Sequence, residues 1–234
     1  VIMMNLIKNE FIKLGFKKQF ISFIVLTIII IINYFINNEK ISMDNMFTLI
    51  PFIGIIISIL FSGIISEEID SGTFRFYLTK PVNRTKIYIS KLLTIIIFTF
   101  ELLIYTLLIH IILKVDVKNV NNFFITSISL VFISTIIMLL STFIKNRSIT
   151  SGISILLLIF GITITELLLS KDINIVKYTF LPYIDLSYYN NNLIDTINQL
   201  YDINLSLKLG IPILLFYSTL FTIIGIRIFK KKDI

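Results

Sequence analysis

Glu101 and His110 are the residues whose types could pass a proton inside a long apolar run of this sequence. An ionisable group in such a run is a functional-site candidate by default. Their spacing argues against a relay. Nine residues of helix place the two about half a turn out of phase and roughly 13 Å apart along the axis. Tyr105, four residues after Glu101, is the nearer partner. Glu101 then has two readings: a buried acid hydrogen-bonded to a neighbouring helix, or, with Tyr105, part of a translocation path. His110 and Glu166 fall toward the outer ends of their runs, where polar groups cost little.

Other chemistry is scarce. The chain has one histidine and no cysteine, which excludes H-E-x-x-H zinc sites, Cys/His metal clusters and thiolate catalysis. No G-x-x-x-x-G-K-[ST] phosphate loop occurs, so ATP cleavage in the P-loop manner is not expected of this chain. No G-x-S-x-G elbow occurs either. The chain is not expected to be an enzyme by itself, and no metal is expected.

The elements around these residues follow from composition. The 234 residues are 56% hydrophobic and only 15% charged, where a soluble domain carries about a quarter charged residues. Mean hydropathy is +0.93. Six apolar runs, 20–36, 47–65, 92–113, 123–144, 149–169 and 209–229, are long enough to cross a hydrocarbon layer of roughly 30 Å. Backbone groups cannot go unpaired in lipid, so each run is read as a helix. The first is not a cleavable signal, since it lacks a small-residue cleavage site and continues into Asn33-Tyr34-Phe35. The expectation is an all-α polytopic membrane protein, a single transmembrane domain over 1–234.

Six spans put both ends of the chain on one side. With them go fifteen of the 21 basic residues: those before the first span, between spans two and three, between spans four and five, and in the tail. The positive-inside bias therefore places that side in the cytoplasm, at the cell membrane. Basic residues near an anionic leaflet gain about 1 kcal/mol each. The net charge of +7 is thereby explained without nucleic acid. Residues 1–19 read as an amphipathic interfacial helix, with Leu6, Ile7, Phe11, Ile12, Leu14 and Phe16 set among lysines. Residues 170–208 form an external loop whose tyrosines suit an interfacial belt. Within it, Phe180-Leu181-Pro182-Tyr183 is a candidate for dipping back into the outer leaflet and helping to close the exit.

The cytoplasmic segment 66–91 is the most unusual stretch. Gly72 can take the left-handed conformation that ends a helix, and Thr73 can cap a new one. A short helix carrying Phe74, Tyr77 and Leu78 would follow, stopped by Pro81. Asn83 or Thr85 can cap the third span. Such an element could receive a push from a soluble partner, or it could be a solvated loop kept out of lipid by its charge.

The order Glu68-x-Asp70-x-Gly72-Thr73, then Pro81-Val82-x-Arg84 and Lys91, resembles the E-x-E-x-G-T … P-V-x-R … K signature of type-2 ABC exporter permeases. The signature follows the second span there too. The ending Phe229-Lys230-Lys231-Lys232-Asp233-Ile234 is similar to the F-K-K-R-D-I ending of that family, with Lys232 for the usual arginine. The resemblance implies a membrane subunit that exports a hydrophobic or amphipathic substrate. It implies a separate ABC ATPase in two copies, which would bind the ATP and magnesium, and a second permease, identical or related. It also implies that Glu68, Asp70, Gly72, Thr73, Phe74, Tyr77, Pro81 and Arg84 form a cytoplasmic coupling surface for the ATPase. Alternatives from other classes are an ion-coupled transporter or channel using Glu101, and a scaffold holding other proteins at the membrane.

Overall fold

An unbroken apolar run in a dry environment leaves its backbone amides one local way to pair, and helices form over all six runs. The computed structural model describes residues 2–36, 49–73, 83–113, 120–186, 189 and 192–232, and among these there is no strand. In chain order the helices are α1 (Ile2–Leu14), α2 (Phe16–Ile36), α3 (Ile50–Phe61), α4 (Ser66–Asp70) and α5 (Arg84–Ile112). They continue as α6 (Val120–Phe143), α7 (Arg147–Leu169), α8 (Asn192–Tyr201) and α9 (Leu207–Lys231). Six are long and apolar enough to cross a membrane: α2, α3 taken with α4, α5, α6, α7 and α9. This is the architecture of a multi-pass membrane protein.

Helix α6 is the hub, packed against α9, α5, α3 and α7. Its Phe132, Ile133, Ile137 and Met138 are buried with Ile53 and Ile57 of α3 and Phe98 and Leu102 of α5. Helix α2 lies at the edge and leaves Ile24, Ile28, Ile31 and Phe35 open, an outer face suited to lipid. On α9, Gly225 lets the ring of Tyr88 approach closely. A Cβ there would stand 2.0 Å from the tyrosine hydroxyl.

Helix α1 has two faces of unlike burial. Leu6, Glu10 and Leu14, one turn apart, are buried on its inner face, while Met4 and Ile12 are exposed. The inner face rests on α5.

Helix α5 begins at Arg84, eight residues before its apolar run. At 29 residues it is about 44 Å long, longer than the roughly 30 Å hydrocarbon layer. The segment 66–91 is therefore not one separate unit, because its last turns belong to α5. Asn83 caps that helix by accepting from the Thr85 amide at 3.1 Å. Asn146 does the same for α7, accepting from Ser148 at 2.8 Å.

The second span is interrupted at 62–65. There the Ile65 amide leaves the helical ladder and donates to Ser141 Oγ of α6 at 3.0 Å. The Ile64 carbonyl accepts from Lys91 Nζ of α5 at 3.1 Å, and the Ile59 carbonyl accepts from Arg147 of α7 at 2.7 Å. Groups freed by a helix break must be paired when buried, and here three different helices supply the partners.

The connection from α7 to α9 is built rather than loose. It holds 3-10 turns at Asn174–Tyr178 and Leu181–Tyr183, then α8. Phe180 stacks among Phe132, Tyr217 and Phe221 with ring centroids 5.3–5.5 Å away. Phe132 lies twelve residues inside α6, roughly 18 Å from that helix's start, so the connection reaches deep into the bundle. Its tyrosines differ in burial. Tyr183 is fully buried, stacked on Tyr189 at 5.6 Å, and donates to the Lys177 carbonyl at 3.1 Å. Tyr178 is exposed.

Candidate functional site

The end of the bundle where the chain begins and ends carries most of its charge, and two side-chain networks organise it. The first joins α1, α4 and α5. Lys91 is fully buried and lies 2.9 Å from Glu10 Oε2 and 2.8 Å from Glu68 Oε2. The Glu10 contact is a hydrogen bond; the Glu68 contact is an ion pair without hydrogen-bond alignment. Lys13, half-exposed, bridges the other oxygens of the same two acids. Two acids and two bases leave the group neutral, which is how charge is tolerated at such depth. Removing one partner from such a pair costs roughly 3–5 kcal/mol, because the other charge stays buried.

Within this network the Glu68 carboxylate faces inward onto Lys91 and Lys13. Glu10 was missed in the sequence; its signal is that it is the lone acid of α1, on the same face as Leu6 and Leu14.

The second network fastens the tail. Arg84 donates to the carbonyls of Lys230 and Lys232, both at 2.9 Å, closing the C-terminal end of α9. A cation at a helix C-terminus also meets the negative end of its dipole. Lys232 in turn donates to the Thr142 carbonyl at the end of α6, at 2.7 Å. Phe229 is fully buried against Tyr88, with centroids 5.8 Å apart. Arg84 and the basic ending, two separate features of the sequence, are one structural joint.

Between these networks lies an open cleft lined by Glu67, Asp70, Lys145, Asn146 and Arg147. Arg147 pairs with Glu67 at 2.7 Å. Asp70 is exposed. Burial and the neighbouring Lys145 push the Lys232 ammonium below the ordinary lysine range, with Asp70 pulling the other way.

Gly72 has the left-handed conformation expected of it, with φ at +67°. The Thr73 hydroxyl donates to the Glu68 carbonyl at 3.3 Å and meets Ser71 Oγ at 2.9 Å. Phe74, Tyr77, Leu78 and Pro81, with the short helix expected there, lie outside the described residues.

Glu101 is not a buried acid. It lies on the open face of α5 in line with Ile97, Ile104 and Leu108, and it makes no hydrogen bond or ion pair among the described residues. Tyr105, its expected partner, instead shares a 2.7 Å hydrogen bond with Thr27 of α2. His110 is buried, with Nδ1 2.7 Å from the Thr106 carbonyl, and Glu166 lies one turn from the end of α7. No group of three His, Cys, Asp or Glu side chains is placed to hold a metal among the described residues.

The chain is 27% identical over 208 residues to the uncharacterized protein YhcI of Bacillus subtilis (strain 168), an alignment covering 77% of this chain and 64% of that relative. It thus spans less than two thirds of the relative's length. The profile of a family described as a protein of unknown function (DUF2705) matches residues 16–234, from the start of α2 through the tail, and the chain belongs to that family.

Proposed function

We propose that this chain is the membrane-spanning permease subunit of an ATP-driven exporter of the type-2 ABC class, moving a hydrophobic or amphipathic substrate out of the cytoplasm. A separate ATPase in two copies binds the ATP and magnesium, and a second permease, identical or related, completes the path. The chain sits in the cell membrane with both termini cytoplasmic. The observation that carries this reading is the joint between Arg84 and the Lys230–Lys232 ending. It gives one physical reason for two motifs, far apart in sequence, to occur together.

Under this reading the ATPase contact shifts. Glu68 and Lys91 brace the inside, Arg84 holds the tail, and the surface left for the partner is Asp70, Gly72 and Thr73 with the neighbouring Glu67, Lys145 and Asn146. Force on Asp70 would enter α4 and pass through Glu68 to α5 and α1. Phe74 and Tyr77 follow Thr73 in the chain and belong to the same proposed surface.

The test is Asp70→Arg in the full chain, co-expressed with its ATPase. The expected result is an intact melting profile, loss of ATPase co-purification and loss of ATP-dependent export. Normal export with the ATPase still bound would refute the coupling assignment. A second reading, an ion-coupled transporter, is favoured by the open position of Glu101. Transport by the purified chain alone, driven by an ion gradient without ATP, would support it.

A further inference from the structure

The proposed function leaves one group without a role. Glu101 lies eleven residues from the end of α5, about 17 Å by helical rise, which is the middle of the apolar run. Its side chain is on the open surface of the bundle, and no partner meets it among the described residues. No other Asp, Glu, Lys or Arg of the described residues is so deep and so open. Glu166, Lys208 and Arg227 all lie within about a turn of their helix ends.

A carboxylate facing hydrocarbon is costly, on the order of 3 kcal/mol at a helix centre. Its surroundings say what would relieve that cost. Ile97, Ile104 and Leu108 flank it along α5 with 38–52% of their surface open, giving an apolar seat. One turn away, Tyr105 packs edge-on against Phe23 of α2 at 4.8 Å, with its hydroxyl engaged by Thr27. An acid with aliphatic surface along its helix and an aromatic pair one turn away matches a charge-bearing, greasy cation, by ion pairing and by the attraction of cations to aromatic rings.

We infer that Glu101, with Phe23 and Tyr105, forms a mid-membrane site for the cationic group of an amphipathic substrate. This rests on the transport reading above and names its substrate class, a lipophilic cation or amine. Charge complementarity excludes the anion of equal shape.

The test uses the full chain in phosphatidylcholine nanodiscs, without ATPase, and tetraphenylphosphonium as the probe. Saturable binding is expected in the wild type. It should weaken at least tenfold in Glu101→Gln and stay within a few-fold in Glu101→Asp. Tetraphenylborate, of the same shape and opposite charge, should not compete. Equal binding by wild type and Glu101→Gln, or no saturable binding, overturns the site. So does an Ile104→Cys cross-link between two copies that the probe does not slow, which would mean that a second copy covers this face. Binding needs no ATPase, so the site and the permease assignment fail separately: a bound probe with no ATPase ever co-purifying would sink only the assignment.

Discussion

Arg84 stands at the first residue of α5, and its guanidinium lies 2.9 Å from the backbone oxygen of Lys232, 148 residues further along the chain. The same nitrogen, Nη1, reaches the Lys230 oxygen, so one donor group serves two carbonyls. The contact ties the start of the third span to the end of the sixth.

Arg84→Ala should release the ending without unfolding the bundle. Hydrogen bonds from a charged donor contribute about 1.5–3 kcal/mol each when shielded, and partial exposure here reduces the loss to about 1 kcal/mol. A spin label at Lys231→Cys should sharpen its spectrum in Arg84→Ala and respond less in Arg84→Lys. Unchanged label mobility in Arg84→Ala would show that Phe229 and Lys232 hold the tail alone.

Lys91→Met should be far more damaging, because it leaves two acids at depth with only the half-exposed Lys13 between them. The expected loss is roughly 3–5 kcal/mol, seen as a large drop in melting temperature in detergent. Adding Glu10→Gln and Glu68→Gln should return most of the stability, since the triple variant has no buried unpaired charge. A triple variant no better than Lys91→Met would mean that the lysine matters for its bond to the Ile64 carbonyl.

Tyr183 gives a pH signature. Burial pushes its hydroxyl up from 10.0 to about 12, with the bond from Tyr189 acting against the shift. The folded state then holds this proton where the unfolded chain has lost it. The stability it contributes is complete below pH 10 and is lost as pH rises through about 12. Tyr183→Phe should flatten that alkaline loss, followed by tyrosinate absorbance and melting in parallel. An equal loss in Tyr183→Phe would assign the transition to other tyrosines.

The spans were legible because their cause is local. Each apolar run sets its own length, and Asn83 and Gly72 carry their conformational preferences with them. The ion-paired group was not legible, because Glu10, Glu68 and Lys91 are each ordinary surface residues when read alone. Only the packing of α1 on α5, near a break in the second span, turns them inward. The turn through Tyr183 was legible only as a segment that dips back. Nothing local reveals that Gly161 and Gly210 leave room for it between α7 and α9. For Glu101 the residue type left a buried acid and a path-lining acid both open, and only the packing shows its face of α5 uncovered among the described residues.

The pairing of Glu10 with Lys91 also bears on how the molecule is made. Glu10 leaves the ribosome 81 residues ahead of its lysine, so the amino-terminal helix has no finished berth while the first two crossings are being threaded. It can settle only when the third has entered the bilayer. The stretch from α1 into α5 should then mature as one biosynthetic step, and truncation before Lys91 should leave α1 adrift and open to proteases.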